Sequence, residues 1–437
     1  MDRTGHRSEK AVRTYKRPAD SMLKDVSNIL NPSYKQIKLE DPKPLTDTRA
    51  ILTEQDYIEN TENAFLNISK PDGKYRGLPS NSSFQNCVFN FVTKIGIHPD
   101  ETDLKKQMSE LPIPVIDLSR AKTDRTQLAK EVVHALENIG FLYIDNVKGI
   151  DFDKLFKICQ WFFGLPIETK MDLTRKNFKS ENHNLYRGYF PVVEGEPSRK
   201  EGFEFARDVP ADDKTVSPNN WMYEKSVWPE ENFTVAFKEF LQNMYEIVHE
   251  TSQEILRLAA LGLGIEEHAF EHLFSDKPCS TFRIMHYPPW EGTPPKNAII
   301  EDGKVVTTPE HMDSDFLTLL HIFNYDGLEV LDMDGTWIAV PPRPNSLIMN
   351  IGVTFSRMMA GRFKATRHRV LDIGKDRFSV PFFLSPSFDS DIGVNFMSKF
   401  NSNGPEHVPE KFGPWLLHRI KHEIKYFEYR DLPEIED

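Results

Sequence analysis

Between Thr281 and Leu384 the chain reads as a series of short β-type segments broken by Pro and Gly, whereas Pro112 to Gly264 is dominated by helical patterns. This change of texture limits the fold more than any other feature. The segments are Phe282 to Tyr287, Lys304 to Thr307, Phe316 to His321, Leu328 to Leu331, Trp337 to Val340, Ser346 to Asn350 and Phe378 to Leu384. Asp302-Gly303 and Asp334-Gly335 carry the left-handed turn chemistry that closes antiparallel hairpins. Many short strands in succession dispose of their edges by closing on themselves or by pairing as two sheets. Helices first and strands afterwards predict an α+β protein, a helix-flanked β-barrel or sandwich.

The helical half has its own punctuation. Ile113, Val115, Ile116 and Leu118 read as a first strand. Asp124 precedes Leu128, Val132, Val133 and Leu136 on one helical face, and Gly140 stands where a C-terminal cap belongs. Phe141-Leu142-Tyr143-Ile144 is a buried strand. Asp151 caps a second helix bearing Phe152, Leu155, Phe156, Cys159 and Phe163, stopped by Gly164 and Pro166. A longer pattern from about Glu230 to Leu261 places Phe233, Phe237, Phe240, Leu241, Met244, Ile247 and Val248 on its apolar side. A last helical pattern runs from Pro414 to about Tyr426.

Four regions are expected. Residues 1–48 are a polar, basic-leaning tail that buries too little to order itself. Residues 49–111 form an extension of mixed pattern. Residues 112–264 are the helix-rich region, and 265–437 hold the strands and the last helix. Lys16-Arg17-Pro18 reads either as a nuclear address or as part of a solvated tail. The 437 residues are 39% hydrophobic, which is enough for a sizeable core. A net charge of −12 argues against binding nucleic acid over most of the surface. No apolar run reaches the ~20 residues of a membrane-spanning helix, and no apolar stretch follows Met1 as a secretory signal would require. Cys87, Cys159 and Cys279 form no CxxC pair, so a reducing compartment is expected, cytoplasmic or nuclear.

The chemistry lies in His311-Met312-Asp313. Read as the opening of a strand, i and i+2 share a face, so both side chains can aim at one point. His368, in Arg367-His368-Arg369-Val370, is the natural third ligand from a distant strand. Two imidazoles and a carboxylate on one side of a metal leave the other side open, as Fe(II) oxygenases need for a chelating co-substrate and O2. Asp315 is a rival ligand at i+4. Zinc hydrolases use the same ligand types, although no helical HExxH accompanies these histidines. His286 and His321 read as structural or pocket-lining.

Arg377-Phe378-Ser379 repeats the i, i+2 spacing. A guanidinium presents parallel donors that match a carboxylate, and a neighbouring hydroxyl adds a third. Beside an open metal, this pair suits a diacid that chelates at one end and is clamped at the other.

These motifs, in order, carry a resemblance. His311-Met312-Asp313, Leu317-Thr318-Leu319-Leu320, Gly327-Leu328-Glu329-Val330, Gly335-Thr336-Trp337, Val340-Pro341-Pro342, Asn350-Ile351-Gly352, Gly361-Arg362-Phe363-Lys364, His368-Arg369-Val370 and Arg377 to Phe383 resemble the 2-oxoglutarate/Fe(II) dioxygenase superfamily, isopenicillin N synthase type. Upstream, Pro112 to Asp117, Gly140 to Tyr143, Arg187-Gly188-Tyr189 and Lys200-Glu201 agree with it. The likeness spans about Pro112 to Tyr429.

The resemblance implies a double-stranded β-helix (jelly-roll) core with Fe(II) on His311, Asp313 and His368. It implies that Arg377 and Ser379 bind the far carboxylate of 2-oxoglutarate, with Tyr287 helping to hold the co-substrate. Asp315 then falls at a variable position. The implied reaction couples oxidative decarboxylation of 2-oxoglutarate, with O2, to hydroxylation or desaturation of a small molecule. Met285 stands where plant members of the family often have an asparagine near the co-substrate, Val353 stands where an aspartate is common, and the Asp302-Gly303 hairpin is either a substrate lid or a surface hairpin. Two rivals stand beside this reading: a 2-oxoglutarate-independent oxidase of the same fold and a non-catalytic ligand-binding relative. Phe355, Phe388, Trp290 and Arg283 are candidate pocket residues. A flat aromatic or nucleobase-like ring, an amino-acid derivative and a terpenoid acid are the candidate substrates.

Overall fold

The computed structural model describes residues 113–194, 199–210, 213–217, 219–230, 236–275, 277–290, 298–400 and 405–422, with 432 and 435. All of these lie in the compact unit Glu101–Asp437. The tail and extension expected over residues 1–111, together with Cys87 and Phe233, lie outside the described residues.

The first half comprises β1 (Val115–Asp117), α1 (Arg125–Asn138), β2 (Phe141–Asp145), α2 (Phe152–Phe163), α3 (Ile167–Met171), β3 (Gly188–Phe190), β4 (Glu201–Phe205) and α4 (Phe237–Leu263). The second comprises β5 (Thr281–Tyr287), β6 (Ile299–Glu301), β7 (Lys304–His311), β8 (Leu317–His321), β9 (Leu328–Leu331) and β10 (Trp337–Ala339). It ends with β11 (Leu347–Ile351), α5 (Val353–Met358), β12 (His368–Leu371), β13 (Arg377–Leu384) and α6 (Phe412–His422).

Local chemistry explains several boundaries. Leu128, Val132 and Leu136 fall on one face of α1 and are buried, as a 3.6-residue period requires. The carboxylate of Asp151 accepts from the Lys154 amide at 2.9 Å and so caps α2. α4 starts at Phe237 rather than near Glu230, because Ala236 is left-handed (φ 50°) and Glu230 is not helical. α6 spans Phe412–His422, and the expected continuation to Tyr426 lies outside the described residues.

The strands form an eight-stranded sheet, β1-β2-β11-β8-β13-β5-β4-β3, and a five-stranded sheet, β10-β9-β12-β7-β6. β1 and β2 run parallel, and the other pairs of strands are antiparallel. Alternation along β2 sends Phe141 and Tyr143 to one apolar cluster and Leu142 and Ile144 to another. The first cluster joins the sheets, bringing Ile348 of the large sheet together with Val330 and Val370 of the small one. The second lies on the opposite face, where Leu319, Met349 and Phe382 meet the apolar sides of α1, α2 and α4. This is the helix-flanked jelly roll expected from the sequence. Among the described residues, no helix is long and apolar enough to cross a membrane.

The Asp302-Gly303 hairpin joins β6 to β7, with both residues at positive φ and Glu301 paired with Lys304. It is an edge of the small sheet. Arg369 of β12, only 1% exposed, reaches Asp302 at 2.8 Å and Glu329 of β9 at 2.8 Å, and lies 4.0 Å from the Trp337 ring centroid. That bolt favours the surface-hairpin alternative over a mobile lid.

Gly140 is the joint between α1 and β2. Its φ is +67°, and a Cβ there would lie 1.8 Å from the carbonyl oxygen of Lys364. We expect Gly140→Ala to destabilise the protein by about 2 kcal/mol or more, read as a lower urea midpoint. An unchanged midpoint would contradict the close approach.

Candidate metal centre

β12 pairs antiparallel with β7 so that His368 stands directly opposite His311. Their ring centroids are 4.2 Å apart. Asp313 lies two residues beyond β7, in the connection to β8, and not within a strand as the sequence reading held. Its Oδ1 is 3.5 Å from His311 Nε2 and 3.7 Å from His368 Nε2. One ligand atom from each of the three lies within 4.8 Å of the other two, so the set can hold a metal ion.

Each donor is aimed by a second bond. His311 Nδ1 faces the Pro309 carbonyl at 2.9 Å, and His368 Nδ1 faces that of Thr366 at 3.2 Å. A carbonyl only accepts, so each Nδ1 carries the proton and each Nε2 presents its lone pair. Burial, joined by the neighbouring His311, pushes the His368 imidazole down to about 4, which keeps it neutral. Asp313 Oδ2 accepts from Thr318 Oγ1 at 2.6 Å and from Asn350 Nδ2 at 2.8 Å, which leaves Oδ1 for an ion. Burial opposes the Asp313 charge, and the Thr318 hydroxyl helps to offset it.

Asp315 is outside the set. Its Oδ2 is 3.0 Å from the same Thr318 hydroxyl, and its Oδ1 is buried without a partner. One hydroxyl has one proton. Both carboxyl contacts are satisfied only if Asp315 is protonated and donates to Thr318, which in turn donates to Asp313. Burial, then the charge of Asp313, raises the Asp315 pKa in that sense.

On β13, Arg377 and Ser379 point to one face, and Arg377 is paired with Tyr287 of β5. The guanidinium lies 4.8 Å from the Tyr287 ring centroid. Arg377 is 3% exposed, and its Nε and Nη1 have no hydrogen-bond partner. A buried guanidinium with open N–H groups is costly unless a carboxylate completes it. A cleft lined by Tyr287, Trp290, Thr307, Leu371, Lys375 and Arg377 opens beside it. The donor set and the open cation therefore fit a ferrous ion and a dicarboxylate co-substrate.

Comparison with known proteins agrees. Residues 113–231 match the N-terminal region of the non-haem dioxygenases described from morphine synthesis, and 278–386 match the 2OG-Fe(II) oxygenase superfamily. The chain belongs to the 2OG-Fe(II) oxygenase superfamily. It is 26% identical to isopenicillin N synthase of Streptomyces clavuligerus over 72% of this chain and 96% of that one. It is 27% identical to a 2-oxoglutarate-dependent dioxygenase of Monascus ruber over 69% and 95%. A full-length Neurospora crassa protein solved with alpha-KG is 25% identical, with a TM-score of 0.58 over 70% of this chain and 95% of that one. The same protein has been solved with alpha-KG and thymine (TM-score 0.57, 25% identity, 70% and 96% covered).

In this oxygenase the remaining sequence candidates separate cleanly. His321 donates to the Ser346 carbonyl at 3.0 Å, and burial pushes it down to about 4, so it is a neutral core residue. His286 is engaged by Glu201 and Asp376, away from the metal set. Phe355 stacks on Phe316 in the core, and Phe388 packs beside Tyr223 and Gly413; both leave the list of pocket residues. Trp290 lines the cleft, and Arg283 lies on the sheet face shared with Tyr287. Met285 joins Phe190 and Tyr287 in an apolar cluster, so this part of the wall is apolar. Val353 gives its backbone N–H to the Asp313 carbonyl at 2.8 Å, a bond almost any side chain permits. Thr318 and Asn350, which orient Asp313, were visible in sequence only as parts of longer motifs. We expect Asn350→Leu to weaken Mn(II) binding about tenfold or more, measured calorimetrically. Unchanged affinity would show that Asp313 is oriented without it.

Proposed function

We propose that His311, Asp313 and His368 hold the iron of this dioxygenase, and that Arg377, Ser379 and Tyr287 clamp the far carboxylate of 2-oxoglutarate. The observation that carries this reading is the pairing, in one barrel, of three converging donors with a buried guanidinium whose Nε and Nη1 are unmet. Bound iron supplies the redox chemistry by which O2 and 2-oxoglutarate give succinate and CO2 while one oxygen atom enters a C–H bond.

The protein's own part is positional. Pro309 and Thr366 fix the imidazole tautomers, and Thr318 and Asn350 turn one carboxylate oxygen towards the ion. Arg377 supplies a permanent positive charge in a dry site, where it selects a carboxylate over water. The apolar surface of Phe190 and Met285 excludes water from the neighbouring wall. The 2-oxoglutarate-independent oxidase is the weaker reading, given the 2-oxoglutarate-dependent relative and the structures that hold alpha-KG.

Among the candidate substrates, a flat nucleobase-like ring has particular support. Phe190, Phe383 and the Arg283 guanidinium, which is bonded to Glu204, put planar groups on the site side of the sheet, with the guanidinium 5.4 Å from the Phe190 centroid and 5.3 Å from that of Phe383. The Neurospora crassa relative solved with thymine agrees in kind. The acidic chain suits a free small molecule rather than a nucleic acid polymer, and buried Cys159 and Cys279, unpaired, suit a reducing compartment, cytoplasmic or nuclear.

A metabolite screen coupled to succinate release tests the whole reading. His311→Ala should lower substrate-dependent succinate formation roughly a hundredfold or more. Equal succinate from both proteins would remove the iron site. Arg377→Ala should raise the KM for 2-oxoglutarate about a hundredfold, and an unchanged KM would remove the carboxylate clamp.

A further inference from the structure

His286 precedes Tyr287 in the chain, and its ring is bonded to Asp376, the residue before Arg377. Each ring nitrogen faces a carboxylate: Nδ1 is 2.7 Å from Glu201 Oε1 and Nε2 is 2.7 Å from Asp376 Oδ1. Ionised carboxylates only accept, so both contacts are hydrogen bonds only when the ring is the doubly protonated imidazolium. Glu201 is itself anchored, because its Oε2 accepts from Lys170 Nζ at 2.9 Å and from the Tyr189 hydroxyl. The Glu201 side chain is 8% exposed and that of Asp376 is 59% exposed. A chain of bonds therefore runs from a buried anchor out to Asp376, the residue before β13.

We propose that His286 is a positioning residue for 2-oxoglutarate: as the imidazolium it ties Asp376 to buried Glu201 and so fixes Arg377 opposite Tyr287. This rests on the reading of Arg377 and Tyr287 as the carboxylate clamp. The tie matters because Arg377 begins its strand, and strand ends open most readily. With Nε and Nη1 unpartnered, the aim of the guanidinium depends on where the backbone puts it.

The proposal predicts a pH dependence. The charged and titratable groups facing the ring are Glu201 from β4 and Asp376 from the turn before β13. Lys170 of α3 and Tyr189 of β3 stand behind Glu201. From α2 and β13 only the rings of Phe163 and Phe378 meet it, at 5.2 and 4.8 Å. Burial works against the charge, but the bonds to Glu201 and Asp376 outweigh it and raise the pKa. A raised value means that the tie is present at lower pH and lost as pH rises through the folded-state pKa. Affinity for 2-oxoglutarate should weaken on the alkaline side.

The test is calorimetric titration of the full-length, Mn(II)-loaded protein with 2-oxoglutarate from about pH 6 to about pH 9, beside steady-state kinetics. His286→Phe keeps the stacking and should raise Kd and KM for 2-oxoglutarate about fivefold, with kcat at saturation within about twofold of wild type. His286→Gln keeps an amide donor that does not titrate, so it should recover part of the loss and flatten the pH profile. Asp376→Asn, on an exposed turn where misfolding is not a concern, should raise Kd about threefold and move the alkaline fall to lower pH. Wild-type affinity in both His286→Phe and Asp376→Asn, or the same pH profile in wild type and His286→Gln, overturns the proposal. Arg377→Ala separates the two layers. Lost binding there with His286→Phe unaffected sinks the tie alone, whereas wild-type binding in Arg377→Ala sinks the clamp on which the tie depends.

Discussion

The antiparallel register of β7 against β12 sets His311 and His368 across from each other, and the rest of the site is built around that pairing. A one-residue slip would turn one imidazole to the opposite face. The register is held from outside the site. β12 is paired on its other edge with β9, and Arg369, the neighbour of His368, is buried in ion pairs with Glu329 and the β6–β7 turn. Burying an arginine is expensive unless it is fully paired, so the small sheet has few alternative registers that keep Arg369 satisfied. The hairpin before His311 thus contributes to the geometry of the proposed metal site without touching it.

The two kinds of proposed ligand are held by different means. The imidazoles sit on or at the end of strands, where the backbone fixes the ring and one carbonyl contact fixes the tautomer. The carboxylate sits in a connection and needs two side-chain donors, Thr318 and Asn350, from two neighbouring strands of the large sheet. Asn350 pairs with Thr318 across β11 and β8, so one register places both donors. The large sheet orients the acid while the small sheet orients the bases, and the apolar cluster between them sets their distance.

Most of the fold was legible because its signals are local. Asp151 acts through its side chain on the adjacent helix turn, Gly140 and Asp302-Gly303 act through their own backbone, and each does what its residue type predicts. Elements that escaped notice include the short helices α3 and α5 and the strands β3, β4 and β6, which owe their strand character to neighbours rather than to apolar alternation. The start of α4 was misplaced because apolar periodicity continues upstream of a left-handed residue that periodicity does not reveal. In the site, the convergence of His311, Asp313 and His368 was legible through spacing and resemblance, but the local geometry of His311-Met312-Asp313 was not. The segment leaves the strand after His311, and the carboxylate reaches the imidazoles by a turn. Thr318 and Asn350 were hidden because their role depends on a cross-strand contact.

One further constraint links the barrel's interior to its choice of co-substrate. Along β13 the residues facing inward are Arg377, Ser379, Pro381 and Phe383, so polarity falls from one end of the strand to the other. β5 repeats the gradient in part, since Tyr287 and Met285 stand opposite Arg377 and Ser379. Its other end carries Arg283, whose Nε donates at 2.9 Å to Glu204, a carboxylate shared with Arg175 and Arg187. Two buried arginines on one sheet face therefore differ in kind. Arg283 arrives with its carboxylate supplied by the protein, whereas Arg377 has a tyrosine ring and two open nitrogens. Because a desolvated guanidinium without a counter-charge is unfavourable, the folded chain stores at Arg377 a demand that a dicarboxylate meets and a neutral molecule does not. If Arg377 is the proposed clamp, selection of the co-substrate is already present in which of the two arginines the fold has left incomplete.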